Sequence, residues 1–244
     1  FAEDMVLLHS IGVKPVVVHG GGPQIGKRLA EVGKESSFIE GLRVTDEETL
    51  QIVKKVLKEE VGKAIVDAIT TLGGEAISVS GEDGNLLKAQ QSNPKLGFVG
   101  EITEVSTRGI EKIILDGVIP VISTIGQNKI GQSLNINADS AAGSIAGSLQ
   151  VDKVVYLSDV PGVLRDKEDP SSLVSVVYDH EINGMIESGR ISDGMIPKVT
   201  SCIEALKRGA LRAHLLDGRI HHVVLLELFT DSGIGTMIVR KETQ

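Results

Sequence analysis

The chain has 244 residues, 41% apolar and 24% charged, which suffices for one large α/β domain or two lobes. Its net charge of −8 without a basic cluster, and 2% aromatics with no Trp, argue against nucleic acid as the main partner. The lone Cys202 excludes an intrachain disulfide and suits a reducing compartment, no apolar run approaches membrane-spanning length, and the expected location is the cytoplasm.

Residues 1–10 pattern as an amphipathic helix, with Phe1, Met5 and Leu8 on one face. Such a helix normally follows an earlier strand in a βαβ unit, so the natural chain is expected to begin upstream of Phe1. Val16, Val17 and Val18 form a β-branched run of the kind buried on both faces of a sheet. Gly20, Gly21 and Gly22 follow at once, and Pro23 then opens a helix in whose first turn it loses no hydrogen bond. Two readings fit the three glycines: a tight βα turn, or an anion cradle made of converging backbone amides at a helix N-terminus. Neither familiar phosphate motif applies. Gly21 to Lys27 spells G-x-x-x-x-G-K, but Arg28 stands where Ser or Thr is needed, and Ile25 replaces the third glycine of the dinucleotide fingerprint.

Further along, residues 38–45 alternate as a strand or hairpin arm, and Thr45 to Glu48 reads as a capping box opening a helix to about Leu57. A second helix is expected over 61–72, stopped by Gly73-Gly74, then a strand over 76–80. Residues 97–105 alternate like a strand, 107–116 form a helix, 118–123 a strand, and 127–131 a polar hairpin tip. Asp139 is placed to cap a helix rich in small residues. Residues 151–157 read as a buried strand, 178–188 and 197–208 as helices, and 212–216 as a strand. The pair His221-His222 is placed on extended chain, and a last strand is expected over 237–240. Strands alternating with helices imply an α/β fold, a three-layer αβα sandwich with a mostly parallel open sheet. The seam between lobes 1–150 and 151–244 is placed near Gln150.

Lys198 follows Pro197 in the first turn of a helix, where a cation opposes the helix dipole; it is either a solvated Lys or the partner of a phosphate. Asp139, after Asn135 and Asn137, is a cap, a carboxylate that orients lysines, or both. Arg43 is a surface residue or a bidentate carboxylate clamp. Ser158-Asp-Val-Pro-Gly lies just past a strand, at the carboxyl edge where open α/β sheets bind ligands, and is equally an ordinary turn. His19, His214, His221 and His222 show no ligand spacing, so a metal site of protein ligands is not expected.

Five motifs in order, His19-Gly-Gly-Gly-Pro-Gln-Ile, Gly41-Leu-Arg-Val-Thr, Leu134-Asn-Ile-Asn-Ala-Asp, Leu157-Ser-Asp-Val-Pro-Gly-Val and Ser192-Asp-Gly-Met-Ile-Pro-Lys, resemble the amino-acid kinase superfamily. Within it the chain is similar to the arginine-inhibited acetylglutamate kinases. The resemblance implies phosphoryl transfer from ATP, with Mg2+, to the side-chain carboxylate of N-acetyl-L-glutamate, in arginine biosynthesis. It implies that Gly21 and Gly22 hold the reacting groups, Arg43 and Asn135 bind substrate, Lys198 stabilises the transition state and Asp139 orients lysines. Asp159, Val160, Gly162, Val163 and Leu164, with Ile191, Ser192 and Lys198, would line the nucleotide site. His214, Glu227 and Gly233 would contribute to an allosteric L-arginine site, and a homodimer is implied, with a hexamer left open. Alternatives are another kinase of the superfamily, acting on carbamate, aspartate, glutamate or a nucleoside monophosphate, or an arginine-sensing module without catalysis. The family's first strand, with a Lys and a Gly-Gly turn, has no counterpart here, so these 244 residues alone are expected to be nearly inactive.

Overall fold

A computed structural model describes the chain except residues 167, 192–194, 231–232 and 242–244. Contacts group it into two units, Ala2–Ala141 and Ala142–Gln244.

The first unit runs α1 (Ala2–Ser10), β1 (Val17–His19), α2 (Gly22–Glu31), a hairpin of β2 (Phe38–Ile39) and β3 (Leu42–Arg43), and α3 (Glu47–Lys55). It continues with α4 (Lys63–Thr71), β4 (Ala76–Ser80), β5 (Leu87–Gln91), β6 (Val99–Val105), α5 (Arg108–Leu115), β7 (Ile119–Ser123), β8 (Ile125–Gln127) and β9 (Ser133–Ile136), and enters α6 (Ala138–Leu149). Val17 and Val18 of the valine run open β1, with Val16 before the strand and Val18 only half-buried, and β1, β7 and β4 make a parallel sheet in that order, with β7 buried along its whole length. Apolar residues on both faces of β7 leave no solvated side, as expected for a parallel strand.

Two expectations change here. Asp46, not Thr45, caps α3, accepting from the Thr49 amide at 2.8 Å, while Thr45 is fully buried. The helix then does not break after Leu57: a π-helical stretch, Val56–Gly62, joins α3 to α4. Gly62 keeps helical dihedrals (φ −58°, ψ −45°), so its freedom is not used to end the helix.

A small closed barrel, β5-β6-β9-β8, is the feature sequence patterning missed. Its strands are short, and β8 joins β5 through a single register pair, Lys88 with Gln127. The interior is tight enough to require glycine. A Cβ on Gly100 would sit 2.9 Å from Leu134 Cβ, and one on Gly126 3.2 Å from Ala89 Cβ.

The second unit holds β10 (Lys153–Ser158), β11 (Val176–Tyr178), α7 (Ile182–Glu187), α8 (Ile196–Arg208), β12 (Arg212–Asp217), α9 (Val223–Phe229) and β13 (Thr236–Val239). The sheet order is β10-β12-β13-β11, with parallel outer pairs and an antiparallel join between β12 and β13. Tyr178 ends a strand instead of starting a helix, and His222 is left-handed (φ 56°) at the start of α9, so the histidine pair is not on extended chain. The two units meet in sequence at Ala141/Ala142, inside α6, earlier than Gln150. The later half of α6 belongs with the second unit because Ala142 and Ala146 pack into its core. A Cβ on Gly143 would stand 2.9 Å from the Ser201 carbonyl and 3.0 Å from Tyr156 Oη, so a small residue is needed for this approach.

Candidate active site

In the first unit the predicted residues gather around the end of β1. His19, at the last position of the strand, is 8% exposed and stands in register with Ser123 of β7, which faces Ser80 of β4. This places a row of polar side chains at the carboxyl edge of a parallel sheet. His19 Nε2, Ser123 Oγ and Ser80 Oγ are buried and make no hydrogen bond among the described residues. Burial pushes the His19 imidazole below its ordinary value, partly opposed by its bond to the Gly20 carbonyl.

The three glycines differ in what they need. A Cβ on Gly20 would lie 3.1 Å from Ala138 Cβ at the start of α6, and one on Gly21 2.9 Å from Leu57 Cδ2 and 3.2 Å from Val61 Cγ2. Neither could accept a side chain without displacing its neighbour. A Cβ on Gly22 would meet no described atom within 4 Å, and its φ is not left-handed. Packing and conformation therefore do not require glycine at position 22. Helix α2 opens here without a side-chain cap on Gly21, so its first amides remain available to an anion.

Arg43 reaches this loop: Nη2 donates to the Gly22 carbonyl at 3.0 Å and Nη1 to Ser36 Oγ, and the guanidinium lies 4.7 Å from the Phe38 ring centroid. The plane is thus set beside the loop before any ligand arrives. Thr45 Oγ1 donates to the Arg43 carbonyl at 2.8 Å and accepts from Asn135 Nδ2 at 3.1 Å. Arg43 and Asn135, far apart in sequence, are joined through one buried hydroxyl. In sequence Thr45 is the last residue of the Gly41-Leu-Arg-Val-Thr motif and a capping candidate; nothing there shows it as the link between Arg43 and Asn135.

Two residues before Asn135 on β9, Ser133 Oγ donates to Glu82 at 2.6 Å, and Lys54 and Lys58 pair with the same carboxylate at 3.1 and 3.2 Å. Burial raises the Glu82 carboxyl, but these donors more than offset it and hold it below its ordinary value. The cluster ties β9, which carries Asn135, to the long helix.

Asp139 is not the N-cap of α6. The Asn137 side chain accepts from the Ser140 amide at 2.9 Å, leaving half-buried Asp139 inside the first turn. An acid there favours the helix dipole.

In the second unit, Lys198 is half-buried in the first turn of α8, behind Pro197. Asp159 is exposed just past β10. Val163 and Ile191 are 1% and 2% exposed in the hydrophobic core, so only their backbone groups can face a nucleotide. Gly162 is left-handed (φ 140°), and the Val163 amide beside it donates to Thr236 Oγ1 at 2.9 Å. Val160 is partly buried against the core, and Leu164 bridges to Leu173. Ser192 lies outside the described residues.

His214, Glu227 and Gly233 come together. His214 Nδ1 is 2.7 Å from Glu227 Oε1, Glu227 Oε2 accepts from the Ile234 amide at 2.8 Å and the Gly235 amide at 3.3 Å, and a Cβ on Gly233 would be 3.0 Å from Oε2. Burial pushes His214 down and outweighs the pull of Glu227. The His214 ring thus faces the Glu227 side chain across a buried hydrogen bond, with burial disfavouring the charged ring.

The comparisons agree with this arrangement of elements. A family model described as the amino acid kinase family matches residues 1–217. An acetylglutamate kinase of Desulfitobacterium hafniense is 50% identical over 246 residues, covering 96% of this chain and 83% of the relative. Of the solved structures, smu.665 from Streptococcus mutans superimposes with a TM-score of 0.85 at 27% identity, covering 99% of this chain and 92% of the other. N-acetylglutamate synthase from Neisseria gonorrhoeae, complexed with coenzyme A and N-acetyl-glutamate, gives 0.87 at 26% identity, over 99% of this chain and 55% of that one. On its matched residues and its relatives, the chain belongs to the amino acid kinase family.

Proposed function

We propose that the protein transfers the γ-phosphoryl group of ATP to the side-chain carboxylate of N-acetyl-L-glutamate: a carboxylate oxygen bonds to the γ-phosphorus as the bond from that phosphorus to the β–γ bridging oxygen breaks and ADP leaves with the electron pair. The observation that carries this reading is the 50% identity to an acetylglutamate kinase over nearly the whole chain, with Arg43 bonded to the glycine loop and Asn135 linked to Arg43 through Thr45.

The Gly21 and Gly22 amides bind the reacting carboxylate and the oxygens of the transferring group, where negative charge changes least favourably in water. Arg43 grips the substrate's α-carboxylate, and Asn135 the acetamido end. Lys198 supplies positive charge to the transferring phosphoryl group, and Asp139 orients cations. This is catalysis by placement and charge, with little covalent work for the protein. The loop offers N–H donors and a guanidinium, a set that binds anions, so Mg2+ fits as part of the nucleotide, held by phosphate oxygens. When bound it neutralises phosphate charge. Asp159 to Leu164 and Ile191 offer backbone groups to the nucleotide.

His214, Glu227 and Gly233 support a site for L-arginine, whose cationic end would find Glu227. A homodimer in the cytoplasm completes the reading. Among the described residues no helix is long and apolar enough to cross a membrane.

The test is a coupled assay on the full natural chain with N-acetyl-L-glutamate, carbamate, aspartate, glutamate and nucleoside monophosphates. N-acetyl-L-glutamate should be preferred, and Lys198→Ala should lower kcat by roughly 100-fold or more. Preference for another acceptor, or an unaffected Lys198→Ala, would overturn the assignment. Saturating arginine that leaves the kinetics unchanged would remove the regulatory part.

A further inference from the structure

The glycine loop presents its amides only if the peptide planes between the glycines are held in one orientation. Three contacts bear on the plane between Gly20 and Gly21. Ala138 crowds Gly20, and Leu57 and Val61 of the π-helical stretch crowd Gly21: an added Cβ would lie 3.1, 2.9 and 3.2 Å from them, so each neighbour would have to give way. The third contact is His19 Nδ1, 3.0 Å from the Gly20 carbonyl oxygen.

A carbonyl can only accept, so Nδ1 carries the proton and Nε2 is a bare acceptor in the neutral ring. In a trans peptide the C=O and the next N–H share one plane and point opposite ways. Holding the Gly20 carbonyl therefore aims the Gly21 amide. The ring itself is fixed from behind. A Cβ on Gly62 would stand 3.2 Å from His19 Nε2, 2.8 Å from Ser78 Oγ and 3.0 Å from the Leu57 carbonyl. The π stretch thus supplies Leu57 and Val61 to one side of the loop and a missing side chain at Gly62 to the imidazole. Such stretches are rare and are met mostly at functional sites. A polar ring atom buried without a partner asks for a reason, and the reason here is the other nitrogen.

We propose that His19 is a positioning residue for phosphoryl transfer: its Nδ1–H, backed by the π-helical stretch at Gly62, pins the Gly20 carbonyl and so aims the Gly21 amide at the reacting oxygens. This rests on the reading of the loop as the place where the acceptor carboxylate and the phosphoryl group are held. His19 touches neither substrate.

The test compares His19→Asn with His19→Gln in the full natural protein. An Asn side-chain amide reaches where Nδ1 stands, while Gln, closer to His in bulk, places its amide where Nε2 stands. The expected result is a kcat for Asn within roughly threefold of wild type and for Gln at least tenfold lower, with KM for both substrates little changed. Gly62→Ala, which keeps helical backbone but crowds the ring, should also lower kcat. If Gln equals or exceeds Asn, the histidine fills space and the proposal is wrong. The Gly21 amide resonance, followed by NMR without substrates, tests the pinning separately from turnover. It should stay as in wild type in Asn and shift and broaden in Gln; an unchanged resonance in Gln overturns the proposal. A wild type inactive on N-acetyl-L-glutamate, with the amide behaving as expected, refutes the substrate assignment and leaves the pinning standing.

Discussion

Each unit buries one histidine on a parallel strand, and the two are wired differently. His19 and His214 are 8% and 3% exposed, each leaves Nε2 without a partner among the described residues, and burial pushes both below the ordinary value. His19 bonds a neutral backbone carbonyl, whereas His214 bonds the Glu227 carboxylate, which also accepts two backbone amides. A proton gained by His214 would meet a counter-charge, although Lys153 and Arg212 oppose it. One gained by His19 would meet only a dipole. The first arrangement fixes a peptide plane; the second anchors a carboxylate that closes the turn before β13.

Gly21→Ala should cost roughly 100-fold in kcat, since its Cβ would displace Leu57 or the loop itself. Gly22→Ala should leave stability unchanged, having nothing to strike, yet impair catalysis. Equal stability loss in the two variants, read by urea denaturation, would remove the distinction between a packed and a ligand-facing glycine.

Glu227→Ala should be the largest stability effect in the second unit, about 3 kcal/mol, because two amides and the imidazole lose one acceptor together. Glu227→Gln should cost less, since an amide oxygen can still accept from part of the set. Urea midpoints for the two variants check the order.

Acidification separates the histidines themselves. A folded-state value below the ordinary 6.5 means that the unfolded chain binds more protons, so stability is complete above that pH and falls as pH drops below it. One histidine contributes at most about 1.4 kcal/mol per pH unit. His19→Asn should flatten the fall below about pH 6.5 more than His214→Asn, because Glu227 compensates a charge on His214. Equal slopes would show that the counter-charge does not matter.

A smaller effect marks a control away from both histidines. Lys34 and the Thr49 amide hold the Asp46 carboxyl down at about 2. Its contribution should persist above the ordinary 3.8 and disappear only as pH falls toward 2, outside the histidine window. Asp46→Ala should cost about 1 kcal/mol by thermal or urea unfolding, the usual worth of an N-cap.

Much of the fold was legible because its signals are local. Three valines, three glycines and a proline announce strand, loop and helix within eight residues, since each acts through its own backbone. Lys198 behind Pro197 was placed in a first helical turn for the same reason. Caps were misread by one or two positions, at Thr45 for Asp46 and at Asp139 for Asn137, because neighbouring Thr, Asp and Asn compete for the same amides. The π-helical stretch was invisible: the pattern ends one helix at about Leu57 and starts another at 61, whereas Val56–Gly62 runs on as one continuous helical segment.

Local sequence signals were enough for the class of fold, the family, the glycine loop and the elements flanking it, but not for the barrel strands β5 and β9 or for β11. Tertiary structure alone decided which of those residues meet. The barrel closes on pairs such as Val99 with Asn135, Thr45 joins Arg43 to Asn135, and His19 finds room against Gly62. Each depends on residues far apart along the chain brought into contact by burial. Local propensity is a property of neighbouring residues and carries no record of which distant side chain will complete a buried hydrogen bond or fill a missing Cβ.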